Sequence, residues 1–87
     1  MLTGTTRSGF CYEIEDAQLD NMELLDALAE ADAGSLLAVS RVCDLLLGKE
    51  QKRKLYDHCR TDRGNVPTAL IRDELLDIIQ GQDEGKN

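Results

Sequence analysis

The chain has 87 residues, of which 17 are acidic and 10 are basic, so its formal net charge is −7. A chain of this length folds as one domain that buries roughly 60–65% of its unfolded surface, which excludes a catalytic cleft walled by a second domain. Its 41% hydrophobic and 31% charged residues are typical of globular proteins and not of disordered or collagen-like chains. We therefore predict a single domain over residues 1–87, with an ordered core at about 8–80.

The composition also excludes several settings and partners. The apolar runs are far shorter than the ~20 residues that span a bilayer, and the N-terminal stretch lacks the apolar centre of a secretory signal. Three cysteines at wide spacing do not make a closed disulfide framework, so we expect reduced thiols. A pI near 4.5 opposes binding to phosphate backbones, which depends on clustered Lys and Arg. We expect a cytoplasmic protein with neither a membrane nor a nucleic acid as its partner.

The first element is predicted to be a β-hairpin. Phe10, Tyr12 and Ile14 alternate with polar residues, which is the period-two pattern of a half-buried strand. A turn at 7–9 allows residues 1–6 to pair back as the other strand. Because a two-stranded ribbon is marginally stable alone, we expect it to lie against helices.

The first helix begins near Asp20, which we take as its N-cap, with Glu23 as the reciprocal partner three residues on. Its other face is acidic and carries no basic residue. Asp32 to Gly34 end it. At about 100° per residue, one arc of this helix is apolar and consists of Met22, Leu24, Leu25, Leu28 and Ala29.

The next two helices differ in polarity. Ser35 caps a second helix at 36–47 that is apolar around most of its circumference, so we expect it to lie at the centre of the fold. Gly48 ends this helix. A third, polar helix runs from 49 to about 60, and its candidates for burial are Leu55, Tyr56 and Cys59.

The last helix follows a turn at 62–65 and has Pro67 in its first turn. Its buried stripe consists of Ile71, Leu75, Ile78 and Ile79, with Leu76 at the edge. Gly81 is expected to stop it, and the tail at 81–87 has no apolar residue to bury and is expected to be mobile. The predicted fold is therefore mainly α, a small four-helix domain with an N-terminal β-hairpin.

The residues offer little for catalysis or for a metal. His58 adjoins Cys59, but neighbouring residues on a helix point about 100° apart, and no pair has the spacing of a ligand clip. We expect Cys43 and Cys59 to be small apolar fillers of the core. The glycines stand singly at turns and form no phosphate-cradling loop. We predict no catalytic residues, no metal and no cofactor, and hence no enzyme.

Charge is distributed unevenly along the chain. Residues 49–63 contain six basic and three acidic side chains, which makes this stretch net positive in an acidic protein. It is either a solvated polar helix or a basic patch that docks on an acidic partner, including the acidic helix of another copy. A DNA-reading helix is a weaker third interpretation, because the net charge opposes it.

Four segments of the chain stand in a characteristic order and spacing. They are FCYEI at 10–14, MELLDALAE at 22–30, LLLGKEQ at 45–51 with Leu55, and DRGNVP at 62–67. Together they resemble the tail assembly chaperones of long-tailed (siphovirus) bacteriophages and prophages, and the resemblance covers about residues 9–80. Two departures are Met22, where an aromatic residue is usual in that family, and Arg63, where an acidic residue is common.

The resemblance implies a helical chaperone that binds the tape measure protein, keeps it soluble and helps recruit tail tube subunits, and that is absent from the mature virion. It also implies a longer product made by a programmed frameshift near the end of the reading frame. The family offers no residue-level binding motif, so we choose Met22, Leu24 and Leu76 as partner-binding residues on physical grounds, as apolar side chains at or near the edges of their stripes. The alternative is a small acidic protein-binding adaptor or homo-oligomeric regulator.

Overall fold

The computed structural model describes residues 1–84, and their side chains as far as Gly81. It confirms the mainly α fold with four helices and an N-terminal hairpin. The ordered elements extend beyond 8–80 at both ends. In chain order they are β1 (Leu2–Thr5), β2 (Cys11–Ile14), α1 (Asp16–Leu19), α2 (Met22–Asp32), α3 (Leu36–Cys59) and α4 (Thr68–Glu84).

The hairpin has the predicted alternation. Strands β1 and β2 are antiparallel, and Phe10, Tyr12 and Ile14 are buried while the residues between them are exposed. The Tyr12 ring covers Gly4 on the facing strand, where a Cβ atom would stand 2.6 Å from Cζ of the ring. The turn closes through a hydrogen bond from Gly9 N to the Thr6 carbonyl, with Gly9 at φ 97°. The Tyr12 ring thus fills the space that a side chain at Gly4 would occupy.

Two side chains from the helices fasten this hairpin. The amide of Gln51 on α3 accepts a hydrogen bond from Glu13 N at 2.7 Å and donates one to the Glu13 carbonyl at 2.6 Å. Oε1 of Glu74 on α4 accepts from the hydroxyls of Thr6 at 2.7 Å and Ser8 at 2.9 Å. The ribbon therefore lies against α3 and α4, as its marginal stability requires.

The predicted start of α2 is wrong by one residue. Asp20 closes the short helix α1, because its backbone N–H bonds to the Asp16 carbonyl at 3.1 Å. Asn21 is the N-cap, and its Oδ1 accepts from Glu23 N at 3.0 Å. Helix α1 itself was not predicted.

The buried face of α2 is rotated from the predicted arc. Leu24 and Ala27 are buried against α3, whereas Met22 and Leu25 are 67% and 52% exposed. Ala29, also placed on the arc, is exposed. The face that meets α3 is therefore centred on Leu24 and Ala27.

Helix α3 is the centre of the fold, as predicted, and α2, α4 and the hairpin pack on it. The Ser35 hydroxyl caps it by accepting from Ala38 N at 3.3 Å. Gly48, at φ 79° and ψ 168°, leaves the helical path, so α3 consists of a segment at 36–47 and a segment at 49–59. Leu55 and Cys59 are buried, and Leu36 and Leu37 at the first turn are exposed.

Helix α4 differs from its prediction at both ends. Pro67 lies before the helix rather than in its first turn, and its carbonyl accepts from Ile71 N at 3.3 Å. The helix passes Gly81 and runs to Glu84, because one glycine costs a helix only about 1 kcal/mol. Of the tail predicted to be mobile, 85–87 lie outside the described residues. Within residues 1–84, no helix has the combination of length and apolar character that crossing a membrane needs.

Candidate functional site

A groove runs between α2 and α4 on the surface of the first half of α3. Both helices pack on α3, and the groove between them encloses about 330 Å³. Val39 and Val42 of α3 form its floor. Its apolar lining is completed by Leu28 and Ala31 of α2 and Leu75 and Leu76 of α4.

Helical periodicity places these side chains along the two walls. On α2, Leu25, Leu28 and Asp32 lie on one side, because residues three, four or seven apart share a side of a helix. On α4, Arg72 and Leu76 are four residues apart and form the opposite wall. The sequence of each helix thus builds one wall, and their docking on α3 creates the space between them.

Burial changes steeply from the floor of the groove to its edges. The floor residues Val39 and Val42 are buried, whereas Leu76 is 47% exposed. Leu25 shares a side of α2 with Leu28 but lies outside the groove lining and is largely exposed. Leu76 therefore remains in water beside an apolar floor, and covering it would remove further apolar surface from solvent.

Three charged residues also line the groove. Asp32 lies on the α2 side, and Arg72 and Asp73 lie on the α4 side. Among the described side chains, none of the three has a hydrogen bond or ion pair. Their charges are therefore free to meet charges on a partner, and they sum to −1 from two acidic groups and one basic group.

The predicted partner-binding residues have three different positions. Leu76 lies on the groove wall. Leu24 is only 2% exposed in the core between α2 and α3, so its choice as a surface contact is corrected. Met22 is exposed on α2, three residues before Leu25, and does not line the groove. Sequence reasoning missed the floor and the charged rim, whose proximity depends on how α2 and α4 pack.

A polar cluster beside the hairpin has an arrangement unsuited to nucleophilic catalysis. His58 Nε2 lies 2.9 Å from the Ser8 hydroxyl oxygen, and that hydroxyl donates its hydrogen to Glu74. The Ser8 hydrogen is thus directed away from His58, whereas a serine nucleophile donates its hydrogen to the histidine base. The cluster holds the hairpin turn on α4.

The two buried cysteines are equally unsuited to reactive chemistry. All three are free, Cys11 being exposed and Cys43 and Cys59 buried. Burial raises the pKa of Cys43 to about 11. Burial, and then the negative charge of Glu74, also raise the pKa of Cys59. Both thiols therefore stay protonated at neutral pH, and thiolates are the reactive and metal-binding form. Within the described part of the chain, no cluster of three or more His, Cys, Asp or Glu residues is arranged to hold a metal ion.

A larger depression of about 780 Å³ lies between the hairpin and the bend at Gly48. Its lining includes Lys49, Glu50 and Lys54 together with residues of both strands. It differs from the α2–α4 groove in its more polar lining, in which Leu47 is the one buried aliphatic side chain among the described residues. We therefore take the groove as the candidate site for apolar recognition.

The helices also carry two oppositely charged stripes. Lys49 and Arg53 are four residues apart and share one side of α3, and Arg60 follows at the C-cap of that helix beside the same surface. The acidic stripe is on α2, which has no basic residue, and consists of Glu23, Asp26 and Glu30. Among the described residues, one ion pair joins α2 to α3. It is formed by Arg41 and Glu23, whose charged groups are 3.7 Å apart.

Comparisons with known proteins add no relative to this description. No protein-family model, no curated protein and no solved structure matches the chain.

Proposed function

We propose that this protein is a non-enzymatic tail assembly chaperone of a long-tailed phage or prophage. In this role it binds the tape measure protein in the host cytoplasm, keeps it soluble, helps recruit tail tube subunits and is left out of the mature virion. The proposal starts from the resemblance of residues 9–80 to that family. The observation that carries it is the groove between α2 and α4, with a buried aliphatic floor and the exposed Leu76 on its edge.

A groove of this kind suits the task of a chaperone. A long client protein rich in amphipathic helices exposes apolar stripes until it is assembled, and a hydrophobic groove covers such a stripe. Exposed apolar surface with a polar rim is typical of a protein-binding site. Beyond the groove, further large apolar side chains are exposed, namely Met1, Met22, Leu25, Leu36, Leu37 and Leu70.

Co-expression tests this proposal. The protein is produced together with the longest coiled-coil-rich protein encoded downstream of it, captured by affinity, and analysed by light scattering. We expect the long partner to become soluble and to elute with several copies of the chaperone. A partner that stays insoluble while this protein elutes alone would overturn the proposal.

The charge stripes favour a second candidate, a small acidic adaptor or homo-oligomeric regulator. The basic stripe around Arg53 and the acidic stripe around Asp26 lie on different helices. The basic stripe of one copy can therefore pair with the acidic stripe of another copy. Association of this kind weakens with salt. Light scattering of the isolated protein at low and high ionic strength tests this self-association. A monomer mass at low salt would exclude the homo-oligomeric regulator.

A further inference from the structure

We propose that the α2–α4 groove receives one amphipathic helix of a partner protein, with an aliphatic stripe facing the floor and Lys or Arg on its flanks. The identity of that partner rests on the proposed function. The recognition chemistry rests on the residues of the groove alone. It commits the site to a basic-flanked helix and excludes an extended strand or a second copy of this chain as the occupant.

The walls of the groove determine the backbone form of the occupant. Both walls and the floor are helices, whose backbone groups are already bonded within each helix. The groove therefore offers side chains and no free strand edge, and an extended peptide would bury backbone N–H and C=O groups without partners. A helix satisfies its own backbone and presents only side chains.

The spacing of the lining determines the length of the contact. Leu28 and Asp32 on α2, and Arg72 and Leu76 on α4, are each four residues apart, so both walls are about 6 Å long at 1.5 Å per residue. Val39 and Val42 on the floor are separated by about one turn. A partner helix therefore meets the groove over roughly one turn, with aliphatic residues at positions i and i+3 or i+4.

Charge determines the flanks. Asp32 and Asp73 stand on opposite sides of the groove, and Arg72 is the one base that lines it among the described residues. Lys or Arg on both flanks of the occupant can therefore pair with the rim, whereas acidic flanks would be repelled.

Charge and burial exclude a second copy of this chain. Its amphipathic helices α2 and α4 already use their apolar faces in their own core, and α2 would bring acidic flanks to an acidic rim. The basic segment of α3 at 49–59 buries its apolar residues Leu55 and Cys59 in the same core, so it has no aliphatic stripe left to place in a groove. The occupant is therefore a different, basic-flanked protein segment.

Three synthetic helical peptides test the inference by fluorescence anisotropy against the full chain. The first has a leucine stripe with lysine flanks, the second has the same stripe with glutamate flanks, and the third has the composition of the first in an order that destroys the stripe. We expect the first to bind at least about tenfold more tightly than either of the others. Equal binding of the first and third peptides would show attraction by charge alone and overturn the inference.

Matched variants locate the binding. Leu76→Asp is expected to weaken binding of the lysine-flanked peptide about tenfold or more, and Asp32→Lys on the α2 side of the groove is the second variant. Leu37→Asp is the control, because Leu37 is 88% exposed and lies outside the groove. Circular dichroism checks that each variant is folded. Groove variants that fold and bind as tightly as the control would overturn the inference.

The two proposals fail in different ways. If the tape measure partner co-purifies with the wild type and with Leu76→Asp alike, the chaperone function stands and the groove is not its contact. If the lysine-flanked peptide binds in the groove while no long partner is solubilised, the recognition chemistry stands and the proposed function fails.

Discussion

Glu74 is the one charged side chain that is buried among those described, and its surroundings show why the fold tolerates it. A buried carboxylate costs free energy unless its oxygens are hydrogen-bonded. Thr6 and Ser8 each donate a hydroxyl hydrogen to Oε1, and Thr6 also accepts from Phe10 N at 3.1 Å. The hairpin turn is thereby fixed to a helix near the other end of the chain.

Glu74→Ala is expected to lower the free energy of unfolding by about 1–3 kcal/mol, because it leaves the buried Thr6 hydroxyl and the partly buried hydrogen-bonding hydroxyl of Ser8 without their acceptor. Glu74→Gln retains an acceptor oxygen at this position and is expected to lose less. Urea unfolding measures both changes. Asp26→Ala on the exposed face of α2 is the control, with an expected change within about 0.5 kcal/mol. Equal stability of Glu74→Ala and the wild type would contradict the anchoring role.

Cys43 gives the stability a dependence on alkaline pH. Burial raises its pKa from the usual 9.0 to about 11 in the folded protein, so between these values the unfolded chain loses the thiol proton and the folded chain keeps it. The folded state then binds more protons, and linkage requires stability to fall as pH rises. The contribution is fully present below pH 9 and is lost as pH rises through about 11.

We expect the urea midpoint of the wild type to fall more steeply between about pH 8 and about pH 10.5 than that of Cys43→Ala, which lacks the titrating thiol. The cavity left by the substitution lowers stability at every pH, so the comparison is between slopes and not between midpoints. Identical slopes would show that Cys43 titrates in the folded state as it does in the unfolded state.

At the scale of elements, Gly48 is the residue that gives α3 its shape. Its φ of 79° and ψ of 168° fall in a backbone region that residues other than glycine rarely adopt. The bend separates the apolar segment at 36–47, which carries α2 and forms the groove floor, from the polar segment at 49–59. The bend at Gly48 thus allows the two segments of α3 to lie in different surroundings, one apolar and one polar.

Gly48→Ala is expected to lower stability by about 1–3 kcal/mol, because a Cβ atom strains this backbone conformation. Gly81→Ala is the matched control. Gly81 lies within α4, where alanine favours the helix by up to about 1 kcal/mol, and its Cβ would stand 3.4 Å from the Tyr12 hydroxyl oxygen. Thermal unfolding followed by circular dichroism measures both. A Gly48→Ala protein as stable as the wild type would show that the bend is not required.

Local patterns predicted the elements well where the pattern was long or strictly periodic. The hairpin followed from alternation at 10–14, and the central helix from its apolar circumference. Helix α1 was missed because four residues are too few to show a period. The cap of α2 was misplaced because Asp20 and Asn21 are adjacent and equally suited, and only the hydrogen bond that ends α1 separates them.

The sequence predicted less of the candidate site than of the secondary structure elements. The exposure of Leu76 followed from its position at the edge of a stripe. The burial of Leu24 was missed, because the direction in which α2 faces α3 is set by tertiary packing. Asp32 and Asp73 come together across a groove whose width no local pattern encodes. Sequence therefore identified the helices that build the site and one of its edges.

At the scale of the whole molecule, charge opposes the nucleic-acid interpretation that the basic stretch invited. The stripe of Lys49, Arg53 and Arg60 stands on a molecule with a net charge of −7. Within its neighbourhood, Arg60 pairs with Asp57 at 3.1 Å and Lys52 pairs with Asp44 at 3.1 Å. These pairs reduce the positive potential that a phosphate backbone would meet.

We expect no mobility shift of duplex DNA by this protein in gels at low ionic strength. Binding through phosphate contacts is strongest at low salt, so this condition gives the DNA interpretation its best opportunity. A salt-sensitive shift that is abolished by Arg53→Glu would contradict the expectation and would return the basic stripe to the candidate sites.

The Gln51 amide has a consequence for how this molecule avoids its own misassembly. Its C=O and N–H bond to the backbone of Glu13 as the peptide group of a neighbouring strand would. A strand edge with open N–H and C=O groups is a template on which other chains can add in register and build fibrils. The Gln51 side chain takes the hydrogen-bonding place of one residue of a third strand, so the N–H and C=O groups of Glu13 in β2 are already paired. A molecule with several exposed leucines is thereby protected, at this strand, from growing a sheet with its neighbours.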